Sequence, residues 1–338
     1  MSVGRIMRAS SFRLRLRQGV SALVVLAMLG GCVTTQEQRI GAADPSDTCR
    51  QYVVALDSTG DFFAEDIIKG AVIGAVGGAV LGGLLGGGRG SSIAIGAATG
   101  AVAGAATGYI YALQQQSQDQ AVLAGKVSSD LSKENAEIDR AQLAFDQLSD
   151  CRFRQAQAVR ADVAAGRLTR EQGQARLAQV RRWWDRDLAL ARQINEKMAT
   201  RGAEYETAAE TLSPGTKDAI AQQKAAPPPR RAVATRTTPV LLRPDPAAPQ
   251  VTAIGPREPV TVARTQGNYA LVETRTGARG YAPAKTLRVE GRAPTRAAQP
   301  ARDEVRGQAT TNVAKRDNFS TSIEVAEAAT GSGFELTS

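Results

Sequence analysis

Residues 69–113 read KGAVIGAVGGAVLGGLLGGGRGSSIAIGAATGAVAGAATGYIYAL. The run is apolar almost throughout, yet glycine is among the poorest helix formers, about 1 kcal/mol per residue worse than alanine. The glycines keep a register. Gly70, Gly74, Gly78, Gly82 and Gly86 stand four apart, and so do Gly96, Gly100, Gly104 and Gly108. Residues i and i+4 share a helix face, so each half carries a smooth glycine stripe. Small residues at that spacing let backbones approach closely, and helix association in lipid rests on such packing. The opposite faces carry Val72, Ile73, Val76, Leu81 and Leu84, then Ile93, Val102 and Ile110. Asp66–Gly86 and Ile93–Leu113 each count 21 residues, close to the roughly 20 that a membrane span needs. Between them GGRGSS supplies a turn with one charge, Arg89. The pattern predicts a transmembrane helical hairpin over 66–113, with the nine glycines as packing surfaces. A soluble glycine-rich hairpin, packed within the protein or an oligomer, satisfies the same spacing.

The first 31 residues contain five arginines and no acid, followed by a short apolar run, Val20–Leu29. A run of that length is too short for a stable span and fits the apolar region of a signal peptide. It closes on Leu29-Gly30-Gly31-Cys32, which resembles the bacterial lipobox. That resemblance implies removal of residues 1–31, acylation of Cys32 and membrane lipid as a partner. Val33 after the cysteine favours the outer membrane, by analogy with sorting in Gram-negative bacteria. A signal peptide with a chance cysteine is the plainer alternative. With Cys32 acylated, Cys49 and Cys151 remain. In an oxidising compartment an even pair predicts a disulfide, Cys49–Cys151, against the alternative of two buried thiols.

The whole glycine stretch resembles the glycine-zipper two-transmembrane domains of bacterial envelope lipoproteins and of the rickettsial 17-kDa surface antigen. Gly and Ala lower the hydrophobicity of such a segment, which is expected to let it pass the translocon and insert afterwards.

Residues 32–65 read as a tether with a short helix near Thr48–Leu56. Residues 114–212 are polar and free of proline, with two apolar series at helical spacing. One is Leu131, Ile138, Ala141, Phe145, Leu148; the other is Leu177, Val180, Trp184, Leu188, Ala191, Ile194, Met198. Gly166 offers a stop between them, and Thr169 with Gln172 forms a capping-box pattern. An antiparallel helical hairpin in the periplasm is expected, with Trp184 in its core and Trp183 at the edge. Residues 213–231 read as a Pro-rich linker.

Residues 232–290 show short β-rich runs separated by turn residues, at Val240–Leu242, Val260–Ala263 and Tyr269–Glu273. This part resembles a bacterial SH3 domain. Leu242-Arg243 fits the start of the family pattern, Val260-Thr261-Val262 its middle strand, and Gly277 and Gly280 its two glycines. Tyr269 and Tyr281 replace its two aromatic positions and are the candidate ligand-facing residues. The resemblance implies peptidoglycan or an envelope protein as partner; a purely structural module is the alternative. Residues 291–338 are low in apolar residues and read as a disordered tail.

Composition excludes much chemistry. The chain of 338 residues has no histidine, which removes Ser–His and Cys–His catalysis and ordinary zinc sites. Asp185 and Asp187 are paired carboxylates expected on a solvated helix face. No catalytic residue, metal or cofactor is expected. The net charge of +9 divides into +5 for residues 1–31, −3 for 32–212 and +7 for 213–338. Export argues against nucleic acid as partner for the basic end. The fold class expected is mainly α: a glycine-zipper hairpin, a long helical hairpin, a small all-β SH3-like barrel, and disordered linkers and tail. The function expected is that of a non-enzymatic, lipid-anchored tether between membrane and cell wall, with self-association. The alternative is an oligomeric assembly or pore built from zipper helices.

Overall fold

The structure, a computed structural model, describes residues 36–65, 108–225, 228–290 and 303–336. The chain divides into two units, Met1–Ala43 and Asp44–Ser338. In the first, the described residues form a short helix α1, Gln36–Ile40. The second unit is mainly α, with a separate antiparallel sheet, as the sequence predicts.

Its centre is the long helical hairpin. Helix α4 spans Gln120–Ala164 and α5 spans Arg170–Leu212. Each start is capped. Asp119 accepts from the backbone N–H groups of Ala121 and Val122, and Thr169 with Gln172 completes the capping box in both directions. The turn between the arms works as the sequence implies. Gly166 stands at φ 69°, and its N–H and that of Arg167 return to Val163 and Asp162. Only a residue without Cβ takes that left-handed position at no cost. Every residue of the two expected apolar series is buried.

Further helices flank this hairpin. Helix α2, Arg50–Glu65, is longer than the short helix expected, and it packs on both arms. A helical stretch at 108–116, α3, precedes α4. Helix α6, Thr216–Lys224, occupies much of the expected linker.

Helix α7, Glu304–Gly333, occupies the tail expected to be disordered. It packs on α4 and α5 along its length. Its apolar residues are few and mostly small, so composition hides them; Val305, Ala309, Val313, Phe319, Ile323 and Ala329 are all buried. Phe319 meets Phe145 edge-on at 5.8 Å, and Trp184 donates from Nε1 to the Thr330 hydroxyl at 2.9 Å. What folds the tail is the apolar face of the hairpin, which a scan of the tail alone does not see.

The sheet has seven antiparallel strands in the order β3-β2-β6-β5-β4-β1-β7. They are β1 Arg230–Ala234, β2 Thr238–Leu241, β3 Gln250–Ile254, β4 Pro259–Gln266, β5 Tyr269–Thr274, β6 Arg279–Pro283 and β7 Leu287–Val289. A 3₁₀ turn, Ala284–Thr286, precedes the last strand. Val240, Ile254, Val260, Val272 and Ala282 share its core. Gly280 is required by close approach: a Cβ there would meet Val240 Cγ1 at 2.6 Å and the Leu241 carbonyl oxygen at 2.7 Å. The sheet docks on the helices through β3 and β6 against α7. Arg243 grips Asp150 of α4 with two bonds, at 3.0 and 2.6 Å. Tyr281, on β6, is only 3% exposed, which corrects its assignment as ligand-facing: the helices cover that strand. Tyr269 is half-buried.

Candidate functional site: the mouth of the glycine-rich segment

Helix α2 leads into the glycine-rich segment, and its two ends are held by different means. At its start, Cys49 and Cys151 form the expected disulfide, with Cα atoms 5.8 Å apart. One residue beyond Cys151, Arg152 is 1% exposed. Its guanidinium donates to both oxygens of Asp47, at 2.5 and 3.0 Å, and to Asp187 Oδ2 at 2.7 Å. It also lies 5.2 Å from the centre of the Trp183 ring. Trp183 is therefore more than an edge residue. Asp187 is not solvated as expected: it is buried, and burial lifts its carboxyl to about 6 against the pull of Arg152.

At the far end of α2, Arg201 of α5 lies 5.0 Å from the centre of the Phe62 ring. Its Nη2 and Nε donate to Glu134 Oε2 at 2.5 and 3.0 Å, and both residues are buried. One helical turn on, Tyr205 meets Tyr109 of α3 edge-on at 5.1 Å. The Tyr109 hydroxyl donates to Asp130 at 2.8 Å. Phe62 and Tyr109 are 47 positions apart in sequence, yet they touch residues four apart on one helix. The helices on either side of the glycine-rich segment thus meet the same turn of α5.

Glu204 sits at this mouth, 8% exposed, and its Oε1 has no hydrogen-bond partner. Burial raises its carboxyl to about 7, opposed by Arg201 and reinforced by the Glu134 charge. The three side chains carry one positive and two negative charges when ionised, so one proton balances them.

Sequence reading missed both charge clusters, although a signal was present. Glu134 falls between Leu131 and Ile138 on the buried stripe, Arg152 four beyond Leu148, Asp187 three beyond Trp184 and Arg201 three beyond Met198. Charges in register with an apolar series are buried charges, and buried charges come paired.

Of the expected site residues, Cys49 and Cys151 are joined, and Gly108 is helical and buried. Cys32 and the other eight stripe glycines lie outside the described residues. Among the described residues no helix is long and apolar enough to cross a membrane, and no cluster of metal-ligating side chains occurs. The expected spans fall almost wholly elsewhere.

Residues 53–112 match the family model of the YMGG-like Gly-zipper. The match begins inside α2 and ends inside α3, so its limits coincide with the two helices that form the mouth. A Gly-zipper of this kind points to a membrane-associated protein. No curated protein and no solved structure matches the chain.

Proposed function

We propose that the protein is a non-enzymatic, lipid-anchored tether of the bacterial envelope. Acylated Cys32 holds it at a membrane, the outer membrane by the residue that follows. The Gly-zipper enters the bilayer as a helical hairpin, and the bundle and sheet stand in the periplasm. The observation that carries this reading is the shared mouth. A 42-residue segment whose flanking helices meet one turn of α5 has the connectivity that two antiparallel spans require. The strand positions of Val260, Val262 and Tyr269 and the tight site at Gly280 support the SH3-like reading of the sheet. That reading makes the sheet the partner-facing module.

Labelling with a palmitate analogue tests the anchor. Cys32→Ser should leave an unprocessed precursor and abolish labelling; unchanged labelling sinks the lipid-anchor reading. The four-residue glycine register also favours assembly of zippers from several copies into a membrane oligomer. Crosslinking in native membranes separates the two: discrete ring-sized multimers indicate assembly, monomers a tether.

A further inference from the structure

The sheet region, residues 228–290, carries ten basic and four acidic side chains, a net +6. Four of its cations gather at one corner. The Arg257 N–H donates to the Ala234 carbonyl at 2.8 Å, and the Thr235 N–H to the Thr286 carbonyl at 2.9 Å. These bonds press three turns together: the β1–β2 turn with Arg236, the β3–β4 turn with Arg257, and the 3₁₀ turn with Lys285. Arg288 follows on β7, opposite Val233 of β1. All four side chains are exposed. Arg243 and Arg279, away from this corner, are held in ion pairs with Asp150, Asp245 and Glu324. Of the acids nearest the corner, Glu258 has its carboxylate turned to the Gly255 N–H at 2.7 Å, and Glu290 follows Arg288 by two residues, just past the end of β7.

Arg257 stands at φ 64°, the only non-glycine residue with positive φ among the described residues. Such a position costs a long side chain roughly 1 kcal/mol or more, and glycine occupies it freely. An arginine held there against its backbone preference points to a use for its charge.

The sheet's contact with α4 is set apart from the zipper mouth along that helix. The sheet meets α4 from Asp150 to Gln157, and the mouth meets it at Glu134. Sixteen residues of helix rise about 24 Å. The Debye length in physiological salt is about 8 Å, so this contact of the sheet with α4 lies about three Debye lengths along the helix from the mouth. Three cations on exposed turns and one on the edge strand enclose no small ligand; they fit an extended chain of anionic groups, which guanidinium forks bind well.

We propose that this corner, Arg236, Arg257, Lys285 and Arg288, binds a polyanionic glycan. The proposal rests on the reading of the sheet as the partner-facing module and names the chemistry of that partner. Its test is elution of the full chain, in detergent, from heparin–agarose by a salt gradient. The variant R236Q/R257Q/K285Q/R288Q is compared with R170Q/R176Q/R182Q/K224Q, which removes four exposed helical cations instead. The corner variant should elute at clearly lower salt, with its salt-dependence slope reduced by about 3, while the control stays near wild type. Equal shifts in both would overturn the proposal. Arg257→Gly keeps binding separate from folding: relief of the strained φ should leave the melting temperature unchanged or higher, yet retention should fall. Retention at the wild-type level in Arg257→Gly counts against the corner. Vesicles with 30 mol % phosphatidylglycerol form the second arm. Vesicle binding lost in the corner variant, with heparin retention intact, would overturn the glycan assignment in favour of lipid. Heparin elution in detergent does not depend on zipper insertion, so failure of the membrane reading leaves this test standing.

Discussion

Two buried arginines hold the ends of α2, and each faces two acids, but they are not equally satisfied. Arg152 bonds both Asp47 and Asp187, and the Cys49–Cys151 disulfide closes the same end covalently. Arg201 bonds Glu134 and reaches the Tyr205 hydroxyl at 3.5 Å, while Glu204 beside it keeps an oxygen without a partner. The aromatic rings at this second end, Phe62 and Tyr109, belong to the two chain segments that enter and leave the glycine stretch. One end of α2 is thus locked, and the other is balanced on a single proton. The difference teaches where this fold can yield: at the zipper mouth and not at the disulfide.

The largest expected effects come from breaking the ion clusters. Arg152→Met leaves two carboxylates buried without a cation and should cost about 3–5 kcal/mol in chemical denaturation. Arg201→Met should cost a similar amount, but with a different signature. Limited proteolysis should open the chain near residues 62–65 in the Arg201 variant first, with the disulfide end still protected. Identical cleavage patterns in the two variants would remove the distinction between the ends.

Loss of the disulfide comes next. The bridge joins residues 102 apart. Loop-entropy models give close to 5 kcal/mol for such a closure, and measured losses usually run about 2–4 kcal/mol. Cys49→Ser with Cys151→Ser should therefore melt well below wild type, yet fold, because Arg152 still holds Asp47. A change in stability below about 0.5 kcal/mol would show that the ion cluster alone locks this end.

How far the sequence anticipated these ends depends on which residues carry the signal. Helices α4 and α5 were legible because their apolar positions recur over many turns and because Gly166, Thr169 and Gln172 each mark a boundary by local chemistry. The disulfide followed from counting cysteines. Helix α7 was not legible: Ala309, Ala326 and Ala329 contribute little hydrophobicity of their own and are buried by what α4 and α5 present to them. The ion clusters lay in plain register with the apolar series, but charge was taken as a mark of solvent. Tyr281 was misplaced for a related reason. A strand covered on both sides reads like a strand covered on one when its outer face holds a tyrosine, and the covering helix comes from the distant tail.

The smallest effect is a pH dependence. Glu204 has a folded-state carboxyl near 7, above the ordinary value of 4.5. Between these values the folded chain holds a proton that the unfolded chain has lost, so stability falls as pH rises through that window. Glu204→Gln removes this dependence. The variant should match wild type near pH 5 and melt about 2–4 °C higher at pH 8. A lower melting temperature at pH 8 would mean that the ionised carboxylate is welcome at the mouth, and the second end is as well satisfied as the first.

The central claim is that the bundle itself fixes both ends of the Gly-zipper segment, and that the segment is what the proposed membrane insertion needs, not what the bundle needs to fold. Its most direct test replaces residues 66–107 by a flexible linker of about ten residues, which reaches roughly 18 Å, in a chain that also carries Cys32→Ser and lacks residues 1–31. After oxidation in vitro, the chain is expected to fold with the melting temperature of its zipper-containing counterpart, to form the Cys49–Cys151 bridge and no longer to sediment with membranes. An unfolded bundle, or one that still sediments with membranes, would contradict it.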